Sequence, residues 1–102
     1  MARERGKLRA VRRLVLDVDK AIQAPSLLEI AYAIQSCDGV EGCNITVSEV
    51  DIQTVGTNVT IEGTALDYDE IVRAIENTGA VVHGVDQIVT GDRIVEDVPR
   101  SR

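Results

Sequence analysis

The order in which two hydrophobic periodicities alternate along this chain constrains its fold more than any other feature. Leu14, Leu16 and Val18 alternate with Val15, Asp17 and Asp19, the period-two pattern of a half-buried strand running from about Leu8 to Asp19. Past Pro25, Ser26 and Glu29 have the spacing of a capping box. Leu27, Ile30, Ala31 and Ile34 then fall on one helical stripe, which Gly39 terminates. A second strand spans about Val40 to Val50, with Cys43, Ile45 and Val47 on one face and Asn44, Thr46 and Ser48 on the other. The parity slips at Val50 and Ile52, which predicts a bulge or the start of a turn, with residues 51–56 as the connection. Val59 and Ile61 mark a third strand against Asn58, Thr60 and Glu62. A second helix opens at Asp67, with Glu70 completing a capping box and Leu66 and Ile71 placed as a hydrophobic staple. Its core stripe is Ile71, Ala74 and Ile75, and Gly79 ends it. A fourth strand follows over about Ala80 to Val89, but its apolar residues fit neither parity.

Strand–helix–strand–strand–helix–strand, with a short connection only between the second and third strands, is a split pair of βαβ units. The expected fold class is therefore α+β: a ferredoxin-like βαββαβ sandwich, with a four-stranded antiparallel sheet and two helices on one face. Residues 1–7 read as a basic flexible arm, 8–91 as a single domain, and 92–102 as a charged C-terminal tail. At 102 residues a second core is not expected. The core must be aliphatic, because Tyr32 and Tyr68 are the only aromatics. Small domains bury a modest fraction of their surface, so assembly into a homo-oligomer would help this one. No apolar run approaches the roughly 20 residues of a membrane helix, and the run Leu14 to Leu16 stops at Asp17, too short for a secretory signal. The sequence reads as cytoplasmic, with no membrane partner.

Charge is distributed unevenly. Residues 1–13 carry a net +5 and the other 89 a net −11. The acidic body repels nucleic acid, while Arg3, Arg5, Lys7 and Arg9 in the arm have the chemistry to touch phosphates. Docking of the arm on the acidic body of a neighbouring copy is the favoured reading of the two.

Three chemistries hosted by this topology can be tested against the residues. Base stacking on the central strands needs aromatics there, and they hold none. Soft-metal transfer needs paired cysteines in the loop after the first strand, and Lys20 to Ser26 contains neither cysteine nor histidine. A phosphate cradle needs glycines and an arginine in that same loop, which lacks both. Cys37 and Cys43 read as two ordinary intracellular thiols; a disulfide between them, or zinc shared with His83, is disfavoured by compartment and by the missing fourth ligand. Asp67, Asp69 and Glu70 read as helix-capping carboxylates rather than a cation site. The sequons at Asn44 and Asn58 fall within strands and are discounted. The best polar cluster comprises His83, the only histidine, which an antiparallel fourth strand would bring toward Asp17, together with Asp19 and Asp86. These four are the binding candidates, and Asp17, Asp19 and Asp86 the candidate ligands of a divalent hard cation such as calcium, magnesium or manganese. A structural histidine–carboxylate hydrogen bond is the competing and favoured reading. No nucleophile, base and orienting group can be assembled around them, so no catalytic residue is assigned.

The segments Arg13-Leu-Val-Leu-Asp17, Gly39-Val-Glu-Gly42, Asn44-Ile-Thr46, Leu66-Asp-Tyr-Asp-Glu-Ile71, Ala74-Ile-Glu76 and His83-Gly-Val-Asp86 together resemble an archaeal family of small proteins, the domain of unknown function 211 family. The resemblance covers about Arg12 to Val98 and leaves both cysteines outside its motifs. It implies an archaeal, cytoplasmic, ferredoxin-like protein that assembles into homo-oligomers. It brings no assigned activity and no functional residues to these positions. From the residues, the expected function is a non-enzymatic, homo-oligomeric ligand-binding or regulatory module. A cation-binding protein and a nucleic-acid-associated protein acting through the arm are the alternatives.

Overall fold

The computed structural model describes residues 10–99. Its elements follow the expected order: β1 (Val11–Ala21), α1 (Leu27–Gln35), β2 (Val40–Val50), β3 (Thr54–Leu66), α2 (Tyr68–Asn77) and β4 (Val81–Thr90). The strands form one antiparallel sheet ordered β2-β3-β1-β4. Leu14, Leu16 and Val18 of β1 and Val59 and Ile61 of β3 point to one face, where Ile30 and Ile34 of α1 and Ile71 and Ile75 of α2 close over them. Apart from the Cys37 side chain this core is aliphatic, and both tyrosines lie at the surface. The fold is the ferredoxin-like α+β sandwich that the periodicities predict.

Alternation also explains two buried polar residues. Lys20 continues the Leu14–Leu16–Val18 parity, so its stem is forced to the helix side; its Nζ donates to the carbonyls of Ala21 (2.7 Å) and Ile22 (3.1 Å). Thr57 keeps parity with Val59 and Ile61, and its hydroxyl donates to the Val18 carbonyl at 2.8 Å. Both groups thereby satisfy the rule that buried polar atoms find partners.

The helix ends behave unequally. At α1 the capping box is complete: the Glu29 amide donates to Ser26 Oγ (3.1 Å) and the Ser26 amide to Glu29 Oε1 (2.9 Å). At α2 only half of the expected box forms, the Glu70 amide donating to Asp67 Oδ1 at 3.1 Å without a return bond from Glu70. Gly79, at φ +105°, follows the α2 cap, and its amide donates back to the Glu76 carbonyl, as a left-handed stop residue does.

β1 runs Val11–Ala21 rather than from about Leu8 to Asp19, and the hairpin differs from the sequence reading as well. The β2–β3 connection is residues 51–53, not 51–56, because the Asp51 amide pairs with the Thr54 carbonyl and pairing resumes at once. The parity slip at Val50 and Ile52 marks the start of the turn, as one of its two expected readings had it, and a bulge not expected from the sequence lies earlier, between Val47 and Glu49. The expected basic arm falls outside the described residues.

β4 resolves the parity that the sequence left open. Its pairing with β1 slips between Val15 and Leu16 and again between Asp17 and Val18. Asp86 and His83 are the extra residues at these two bulges, each standing between neighbours that are paired. Every bulge reverses the alternation beyond it, so Val82, Val85 and Ile88 share the helix side although their spacing is neither two nor four.

Candidate functional site

The sheet face away from the helices is open. Its rows run Arg13–Glu62, Val15–Thr60, Asp17–Asn58 and Asp19–Gly56 across β1 and β3, with Asn44 and Thr46 continuing them on β2. Thr46 Oγ1 donates to Asn44 Oδ1 at 2.6 Å, so the middle of this face presents amides and hydroxyls.

His83 does not meet Asp17. The bulge carries its ring one row further, and Nε2 lies 2.9 Å from Asp19 Oδ2. Asp17 instead stands between Asn58 and Gly84. Asp86 sits in the second bulge, at the exposed edge and separate from the His83–Asp19 pair. Of the four candidates, therefore, the structure joins two. Among the described residues, no three His, Cys, Asp or Glu side chains converge to hold a metal ion.

Asp19 also belongs to a cluster that sequence reasoning missed. With Glu49, Asp51, Thr54 and Gly56 it lines a cleft of about 230 Å³ where the β2–β3 hairpin turns. On its other side, a second hollow of about 240 Å³ is lined by Asp19, Lys20, Thr54, Val81 and His83 among others. Glu49 could not be assigned to this corner from spacing, because the bulge after Val47 displaces it.

The opposite end of β1 is an arginine-centred corner. Arg13 donates from Nε to Glu62 Oε2 (2.7 Å), from Nη1 to Gln87 Oε1 (3.3 Å) and Glu96 Oε1 (2.9 Å), and from Nη2 to Glu96 Oε2 (3.0 Å). This grip holds the Glu96 carboxyl below its ordinary range, and the two carboxylates raise the guanidinium further above its own. Arg12 binds the backbone instead, reaching the carbonyls of Gly63 (3.1 Å), Gly91 (3.1 Å) and Asp92 (3.0 Å). The expected charged tail is thus tied down at its start.

Cys37 and Cys43 are free thiols. Burial, with help from the nearby Glu70, Asp38 and Asp67 carboxylates, pushes the Cys37 thiol up; burial alone does the same for Cys43. Neither is an activated nucleophile. Among the described residues no helix is long and apolar enough to cross a membrane. The nucleic-acid expectation rests on Arg3, Arg5, Lys7 and Arg9, which lie outside the described residues.

Comparison with known proteins agrees with the resemblance. The sequence pattern of DUF211, a family described as uncharacterised, matches residues 12–102. An uncharacterised protein of Methanocaldococcus jannaschii is 41% identical over 97 residues, which cover 93% of this chain and 99% of the relative.

Proposed function

The chain belongs to the archaeal DUF211 family, and we propose that it acts as a non-enzymatic, self-associating binding module whose polar sheet face holds a ligand. The observation that carries this reading is the state of the β4 edge. An unpaired edge strand is normally guarded by lysine, proline, inward charge or bulges, and of these β4 has only its two bulges. β4 contains no Lys, Arg or Pro, and it exposes Val81 (51%), Val85 (37%) and Ile88 (56%). Val85 and Ile88 lie on the helix side, beyond the cover of α2, where a second copy would bury them. The Asn44, Thr46, Asn58, Thr60 and Asp17 face would remain accessible to a polar ligand.

Size-exclusion chromatography with light scattering tests the association. Wild type at micromolar concentration is expected at a multiple of the single-chain mass. Ile88→Lys, which alters an exposed position and leaves far-UV circular dichroism unchanged, is expected to shift it to one chain. A wild-type protein that is already a single chain overturns the reading.

The alternative, a divalent hard cation, has for support only that the oxygen donors of Asp19, Glu49 and Asp51, which suit calcium, magnesium and manganese, line one cleft without converging as a ligand set. A ligand that binds only the folded state stabilises it by about 2.7 kcal/mol at a hundredfold excess over its dissociation constant. For a domain of this size that raises the melting midpoint by roughly 10–20 °C. Asp19→Asn together with Asp51→Asn is expected to remove the effect. An unchanged midpoint with all three ions rejects the cation.

A further inference from the structure

We propose that Arg13 is the receptor for a carboxylate on an extended peptide segment, and that the chain's own residues 92–98 fill this receptor in cis as a releasable strap.

Three observations meet at this corner. The first is the fork itself. Both Nη atoms of Arg13 take the two oxygens of Glu96, while Nε is held by Glu62 and Nη1 is steadied by Gln87. Two parallel bonds to one carboxylate are the geometry by which arginine recognises planar carboxylates and phosphates. Glu62 and Gln87 are sheet residues, so their bonds to Nε and Nη1 orient the fork independently of Glu96.

The second is Val89. It pairs with Arg13 and so shares the open face, where its neighbours are solvated. Yet it is 6% exposed and lies outside the main core cluster. Arg13 and the segment that returns to it through Glu96 are the groups on this face placed to cover it.

The third is the weakness of the strap elsewhere. Residues 92–98 form no helix or strand. Apart from the Asp92 carbonyl bonded to Arg12, its hydrogen-bond hold among the described residues is Glu96, whose side chain is 65% exposed. Val95 (71%) and Val98 (76%) face water. A segment joined chiefly through one exposed carboxylate lifts readily, and what it vacates is a fork beside an apolar patch.

The occupant is a peptide rather than a free anion. The group seated in the fork is a carboxylate carried on an extended segment of chain, which points to a peptide occupant. An extended segment with a glutamate between aliphatic residues, as in Ile94-Val95-Glu96, supplies both the two-point hydrogen bond and the contact with Val89.

The test uses a chain ending at Arg93, which keeps the Asp92 carbonyl for Arg12, and a capped peptide of residues 94–99 as the probe. Binding is read from amide and Arg13 Nε–H NMR shifts. The shortened chain is expected to bind the peptide with shifts at Arg13, Gln87 and Val89. The full chain should bind at least roughly tenfold more weakly, because its tail competes at millimolar effective concentration. Full-length Glu96→Gln, which leaves the receptor intact, should recover most of that binding. A peptide carrying Gln in place of Glu96 should bind the shortened chain roughly tenfold more weakly or worse. Equal binding of the two peptides, equal binding by the two chains, or no binding by the shortened chain at millimolar peptide overturns the proposal.

Discussion

Leu16→Ala is expected to remove about 3–4 kcal/mol of folding free energy, within the 2–5 kcal/mol that buried leucine truncations cost. Leu16 is fully buried at the centre of β1, between Val59 on β3 and Val85 on β4. The low end of the range does not apply, because the surroundings cannot flow into the gap. The helix residues above it are Ile30, Ile34, Ile71 and Ile75, all branched at Cβ and confined to one χ1 rotamer in a helix. No aromatic ring or methionine is present in this core to adapt to a new volume. Domains of this size hold roughly 5–15 kcal/mol in total, so the loss takes about a fifth or more. At about 4–8 °C per kcal/mol the melting midpoint should fall by roughly 12–30 °C. Urea titration at one fixed protein concentration measures it, with Leu16→Met as the control that keeps volume and costs under ~1.5 kcal/mol. A loss below ~1 kcal/mol would show that the aliphatic layer is loosely packed around this position.

The elements most legible in the sequence are those whose burial is decided locally. β1 reads cleanly because its two neighbours and the helices above impose one parity from Leu14 to Lys20. α1 reads cleanly because Ser26 and Glu29 form their box within four residues. β4 is the contrary case. Its alternation is broken twice by bulges at Asp86 and His83, and a bulge is a property of the pairing with β1, not of the β4 sequence alone. The hairpin is intermediate: the parity slip at Val50 and Ile52 announces a turn, but only the ladder fixes where pairing resumes.

The same reasoning separates the site residues that could be found from those that could not. Asp19 and His83 were legible as polar residues on an open face, yet their pairing partner was misjudged by one row, since the bulge moves His83 from Asp17 to Asp19. Asp86 follows His83 by three residues, a helical spacing that carries no meaning in a bulged strand. Glu96 had no signal at all, because it lies past the last periodic element and is placed by Arg13 across 83 positions of sequence. Charge patterning nonetheless holds a hint. Arg12 and Arg13 are consecutive in a strand that otherwise alternates, and the slip after Val11 lets one serve the backbone and the other the open face.

Gly63→Ala tests the tightest backbone approach in the fold, and its expected cost is about 3 kcal/mol or more, at or above the usual 1–3 kcal/mol of overpacking. A Cβ on Gly63 would overlap the Gly39 carbonyl oxygen and lie 2.7 Å from Leu66 Cδ2. The obstacle is backbone, so no side-chain rotation relieves it. The crowding is mutual, since a Cβ on Gly39 would overlap the Ala65 carbonyl oxygen, and Gly39 also has φ +83°. The turn after α1 and the last residues of β3 therefore touch main chain to main chain, where Val40 first pairs with Gly63. Moving them apart would strain both this pair and the Arg12 Nε bond to the Gly63 carbonyl. The expected signature is local as well as global: β2 amides from Val40 to Asn44 should lose hydrogen-exchange protection before those of β1. Gly42 and Gly84 are the controls, because a Cβ at either meets nothing within 4 Å and neither residue has positive φ. Alanine there should stay within ~1 kcal/mol of wild type, leaning toward stabilisation through the unfolded chain's lost entropy. If Gly63→Ala matches those controls in urea, the turn after α1 yields freely, and the contact between Gly39 and Gly63 does not fix how β2 joins the sheet.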